Sequence, residues 1–150
     1  MSFKIPIIDY DYYYQKVNPY KHHFIEKESD ITIISDSKEA ISKAKEAFYT
    51  HRAILETYTS KNSDFLTSFS PVPVKKDYKI IQLMAEAAEI CDVGPMAAVA
   101  GALADLMIEA MRKDAPGYSL PKIALVENGG EIIIDSEKPM KVALYAGQNE

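Results

Sequence analysis

Two short stretches of this chain carry residues whose types and spacing could do chemistry. In "DVGPMAAVAGALAD", Asp92 to Asp105, a Gly-Pro pair precedes a run of small apolar residues bracketed by two carboxylates. Proline suits the first position of a helix, because the N–H it lacks would have been unpaired there anyway. The N–H groups of Met96, Ala97 and Ala98 then lack intrahelical partners, and such a helix start can hold a phosphate or carboxylate. In the competing arrangement Asp92 folds back and accepts those N–H groups itself. Asp92 would also repel an anion unless a metal ion bridged the two.

The second stretch is "VENGGEI", Val126 to Ile132, a glycine pair between two glutamates. Asn128-Gly129 or Gly129-Gly130 suits a type I′ hairpin turn, since these residues tolerate positive φ. The same bare backbone would let a ligand lie against it while Asn128 and a flanking carboxylate make contact. The ligand-binding candidates are therefore Gly94, Pro95, Met96, Ala97, Asn128, Gly129 and Gly130. Asp92, Glu127 and Glu131 are the candidates for holding a divalent cation. No catalytic residue stands out: Ser68, Ser70 and Ser119 lack an elbow or a partner arrangement, and no Cys/His cluster has metal spacing. His22 and His23, if extended, point to opposite faces. His51 reads as a core histidine, and Arg52–Glu56 as an i,i+4 surface pair.

The elements that must position these stretches follow from periodicity. "FIEKESDITIIS" has two apolar patches around a polar centre, one long bent strand or a hairpin from about Lys21 to Ile34. From Ala40 to Tyr58 apolar residues recur at spacings of three and four, an amphipathic helix with Asp36 or Ser37 as its cap. Two prolines in "TSFSPVPVKKD" make a loop, and a second helix runs from about Asp77 to Ile90. A third begins at Gly94-Pro95, ends near Lys113, and is apolar on two faces, which makes it the central helix. Gly101 inside it costs about 1 kcal/mol relative to alanine, so close approach of a neighbouring backbone or a ligand is expected. "KIALVEN", "GEIIIDS" and "MKVALYAG" read as three antiparallel strands. The fold class is α+β, an antiparallel sheet with two to three helices on one face. The tyrosines at 10, 12, 13 and 14 suggest a strand edge or packing surface.

With 150 residues, 47% hydrophobic and 26% charged, the chain fits one globular domain. A net charge of -5 argues against a nucleic-acid partner. A single cysteine, Cys91, and no signal peptide or membrane-length apolar run point to a cytoplasmic setting and no membrane.

"EKESDITI", "DVGPMAAVAGALAD", "VENGGEI" and "ALYAG", in this order over roughly Lys21 to Gly147, closely resemble uncharacterised protein family 0280. That family is distantly similar to ApbE, the FAD:protein FMN transferases once labelled thiamine-biosynthesis lipoproteins. The resemblance implies a T-fold-related, ApbE-like architecture, and a single ApbE-like domain over 1–150 that lacks the C-terminal part of the family. It also implies a flavin nucleotide site, FAD or FMN with Mg, formed by segments like Asp92–Asp105 and Gly129-Gly130. The transferases carry a lysine where Val93 to Leu103 has no basic residue, so the transfer reaction itself does not carry over. Two functions stay open: a cytoplasmic protein binding a phosphate-bearing small molecule, or a non-catalytic homodimeric assembly module.

Overall fold

The computed structural model describes residues 18–75 and 78–143; the tyrosine cluster at 10–14 lies outside them. The elements are β1 (Tyr20–Glu26), β2 (Ser29–Ser35), α1 (Lys38–Thr59), α2 (Ser63–Thr67), α3 (Lys79–Cys91), a 3-10 turn (Pro95–Ala98), α4 (Val99–Arg112), β3 (Ile123–Asn128) and β4 (Glu131–Ser136). The fold is α+β, with a four-stranded antiparallel sheet in the order β1-β2-β3-β4. The first apolar segment is a hairpin, turning at Lys27 and Glu28 between the paired Glu26 and Ser29. Of the three strands expected after the helices, two form. Residues 140–143 carry no strand, and 144–147 lie outside the described residues.

β2 and β3 occupy the middle of the sheet, and both are buried along almost their whole length. Their period-two alternation divides them between two faces. Ile31, Ile33, Ala124 and Val126 join the main core with the helices, whereas Ile34, Ile123 and Leu125 form a separate buried cluster on the other side. α1 starts where Ser37 accepts the Ala40 N–H at 3.2 Å. It buries Ala40, Ala44 and Phe48 completely. Phe48 meets Phe24 of β1 edge to face at 5.4 Å, an arrangement aromatic pairs favour. α4 touches α1, α3, β3 and β4, so the small-residue helix is central. The described residues include no single helix long and apolar enough to cross a membrane.

Between α3 and the 3-10 turn the chain bends by 108°. Asp92, left-handed at φ 54°, ends α3, and its own N–H returns to the Ala88 carbonyl. Gly94 then passes under the backbone of the 68–69 loop: a Cβ there would lie 1.8 Å from the Ser68 carbonyl oxygen. The close approach that Gly101 suggested belongs instead to Gly94. Nothing lies within 4 Å of where a Gly101 side chain would start.

These two glycines predict opposite outcomes. Gly101→Ala should raise stability by about 1 kcal/mol, because alanine is the better helix former and no neighbour must yield. Gly94→Ala should cost several times that, since the 68–69 backbone would have to move. Urea denaturation of both variants reads the two signs directly; equal effects would show the packing at Gly94 to be wrong.

Candidate functional site

The turn between β3 and β4 falls on Gly129 and Gly130, with φ 59° and 104°, as a type I′ turn demands. Three hydrogen bonds clamp it. The Gly129 N–H donates to the Asp30 carbonyl at 3.0 Å. The Gly130 N–H donates to Glu127 Oε1 at 2.8 Å. Asn128, only 3% exposed, donates from Nδ2 to the Ala100 carbonyl in the first turn of α4, at 3.1 Å. The glycine turn and the helix start therefore meet at one end of the sheet.

Where they meet lies a cleft of about 600 Å³, lined among others by Met96, Val99, Ala100, Asn128 and Gly129. Leu55, Leu66 and Leu103 give it an apolar wall, and Lys27, Arg52, Glu28 and Glu56 a charged rim. Gly94 and Pro95 are buried, Gly94 against the neighbouring loop, and Ala97 and Gly130 are exposed; none of these four lines the cleft. A groove of about 690 Å³ on another side of α1, lined by Ile54, Tyr58, Pro73 and Lys75, brings together neither of the two stretches.

The helix start is bonded differently from either arrangement its sequence allowed. The segment opens as a 3-10 turn, so the Ala97 N–H donates to the Gly94 carbonyl at 3.1 Å and the Val99 N–H to Met96. No side chain caps it, and Asp92 is the exposed end of α3 instead. Tight i→i+3 bonds consume donors that an α-helical start would have left open.

Positive charge reaches the cleft from a pair that sequence spacing placed merely at the surface. The Arg52 side chain is 14% exposed. It donates to Glu56 at 3.0 Å, Ser29 Oγ at 3.0 Å and Glu28 at 2.7 Å, while Lys27 donates to Glu56 at 2.6 Å. Burial alone would lower the pKa of Arg52, but its hydrogen bonds to Glu28 and Glu56 outweigh that and raise it. Its hydrogen bond to Arg52 holds Glu28 below the usual range, and Lys27 does the same for Glu56. Lys27 sits at φ 51°, a left-handed conformation that lysine rarely adopts. The i,i+4 spacing signalled the Arg52–Glu56 contact; the link to a hairpin turn 24 residues earlier had no local signal.

The three candidate carboxylates do not converge. Asp92 ends α3; Glu131 pairs with Asn128 and so shares its face, whereas Glu127 points to the opposite face. Among the described residues no three His, Cys, Asp or Glu side chains are grouped to hold a metal ion. His23 bonds Asp30 at 2.6 Å, and His22 lies beside the Phe24 ring. His51 is half-buried, and burial lowers its pKa.

A protein-family model described as "AbpE bacteria" matches residues 13–150, and the chain belongs to that family. It is similar to the UPF0280 protein of Methanocaldococcus jannaschii, 40% identical over 132 residues that cover 87% of this chain and 51% of the relative. The UPF0280 proteins of Methanosarcina barkeri (37% over 132 residues, 87% and 50% covered) and Methanospirillum hungatei (37% over 129 residues, 86% and 51%) are similar as well. The chain spans about half the length of these relatives.

Two outcomes follow from the clamp and the rim. Asn128→Leu removes the tie between turn and helix and should cost about 1–2 kcal/mol in urea denaturation. Because Glu28 and Glu56 have lowered values in the folded state, their contribution is complete above the ordinary glutamate value of 4.5 and is lost as the pH falls through the lowered ones. Melting temperature against pH should therefore show an acid limb below about pH 4.5 that is shallower in Arg52→Met; an unchanged limb would remove the rim from the account.

Proposed function

We propose that this chain binds a phosphate-bearing small molecule in the cleft between the start of α4 and the Asn128-Gly129 turn. A flavin nucleotide is the first ligand to try, on the strength of the resemblance to ApbE. The observation that carries the reading is the convergence of Met96, Val99, Ala100, Asn128 and Gly129 with Lys27 and Arg52 around one cleft of about 600 Å³. That volume lies in the range of small-molecule sites, which are mostly apolar with a few placed polar groups.

The division of labour follows from the lining. Leu55, Leu66, Met96 and Leu103 offer an apolar wall to a ring system, and Lys27 and Arg52 offer charge-assisted hydrogen bonds to phosphate oxygens. Because the first turn is 3-10 and bonded within itself, side-chain cations carry more of the anion binding than helix N–H groups. Glu28 and Glu56 hold those cations in place until a phosphate competes for them. The positive φ of Lys27 supports the reading too, since sparsely populated backbone conformations cluster at functional sites.

Isothermal titration with FMN, FAD, ADP and inorganic phosphate, each with and without magnesium, tests this. A ligand of this site should lose about tenfold or more in affinity in Lys27→Met, the worth of one charge-assisted contact. It should lose all measurable binding in Val99→Phe, which fills the cleft. Saturation at 100 times the dissociation constant should add about 2.7 kcal/mol of stability. Absence of binding, or binding that neither variant changes, overturns the proposal.

A further inference from the structure

β1 is an edge strand: the sheet ends there, and among the described residues no strand pairs with its outer side. The ladder itself shows which backbone groups are left over. The Gly129 N–H donates to the Asp30 carbonyl in continuation of the β2–β3 pairing, so the even-numbered residues of β2 bond β3. Alternate residues of an antiparallel strand bond opposite neighbours, so Ile31 and Ile33 bond their β1 partners Phe24 and His22. Lys21, His23 and Ile25 therefore turn their backbone N–H and C=O groups outward. All three are exposed, Ile25 at 65%. The pairing with β2 runs from Tyr20 to Glu26 without a bulge, and no proline interrupts it. Such an edge is a template for a further strand.

The residues along this edge complement a second copy of themselves. We propose that two chains associate through β1, the strands antiparallel about a two-fold axis at His23, which joins the two sheets into one. With that centre Lys21 faces Ile25 and His23 faces His23, so each outward N–H and C=O finds a partner. A centre at His22 would set Ile25 against Pro19, which has no N–H, and one at Phe24 would set Lys21 against the turn at Lys27. Charge fits as well. On the helix side, Glu26 of one copy lies directly across from Tyr20 of the other, whose ring carries the Lys38 ammonium at 4.9 Å. On the opposite face, Lys21 lies across Ile25 from the second copy's Asp30, the β2 partner of that isoleucine. Among the described residues Lys21, Lys38 and Glu26 make no ion pair, so each meets an opposite charge only in the dimer. The two-fold axis repeats both contacts, and it takes Ile25 and the 45% exposed Tyr20 out of water.

Sedimentation equilibrium of the 150-residue chain across a dilution series tests this, and wild type should approach the mass of two chains. His23→Pro removes an outward N–H and leaves the β1–β2 ladder untouched, so it should sediment as one chain with the circular dichroism of wild type. Glu26→Lys brings two lysines together at each of the repeated contacts and should weaken association about tenfold or more. Adding Lys38→Glu to Glu26→Lys restores opposite signs and should recover the dimer, a readout that stands even if the proline variant folds poorly. A wild type that sediments as one chain at every concentration, a dimer that His23→Pro leaves intact, or a Glu26→Lys variant that is no weaker than wild type or is not rescued by Lys38→Glu overturns the assignment.

Discussion

The Asn128 side chain is almost wholly buried and reaches from the end of β3 to the Ala100 carbonyl in the first turn of α4. Through that contact the sheet and its central helix are held in one register. The two glycines after it adopt positive φ, which closes the hairpin tightly enough for Gly129 to bond Asp30 of β2 and Gly130 to bond Glu127. With the turn fixed from three directions, alternation along β3 does the rest. Ala124 and Val126 go to the helices, and Leu125 and Glu127 to the other face.

The other end of the same cleft is set by a backbone contact. Gly94 lies against the Ser68 carbonyl, and this lets the chain bend sharply after α3 and start α4 beside the turn. Small residues along α4 then let it touch α1, α3, β3 and β4 together. Arg52 completes the arrangement by tying α1 to the β1–β2 turn through Glu28 and Ser29. The cleft is thus walled by three separate connections, each made by a polar or glycine residue in an otherwise apolar core.

Much of this was legible in the sequence. The three- and four-residue spacing of α1, the proline at the helix start and the glycine pair at the turn each have a local physical cause, and each stands where that cause put it. The meeting of the two stretches at one end of the sheet has no local signal, and Asn128 is the residue that realises it. What was not legible depends on partners distant in sequence. Gly101 carried the stronger helical signal, but the loop that needs a glycine passes over Gly94. The first turn tightened into a 3-10 form because the bend fixes its entry. In the sequence Arg52 shows only its i,i+4 neighbour Glu56, since Glu28 and Ser29 come to it only when the hairpin folds over α1.

The central claim is that the helix start and the glycine turn form one ligand site, and amide chemical shifts followed by NMR during titration with FMN test it most directly. The account predicts saturable shifts concentrated at Met96, Val99, Ala100, Asn128 and Gly129, together with the Arg52 side-chain Nε–H. Shifts confined to the groove beside Pro73 and Tyr78, or no saturable shifts at all, would contradict it.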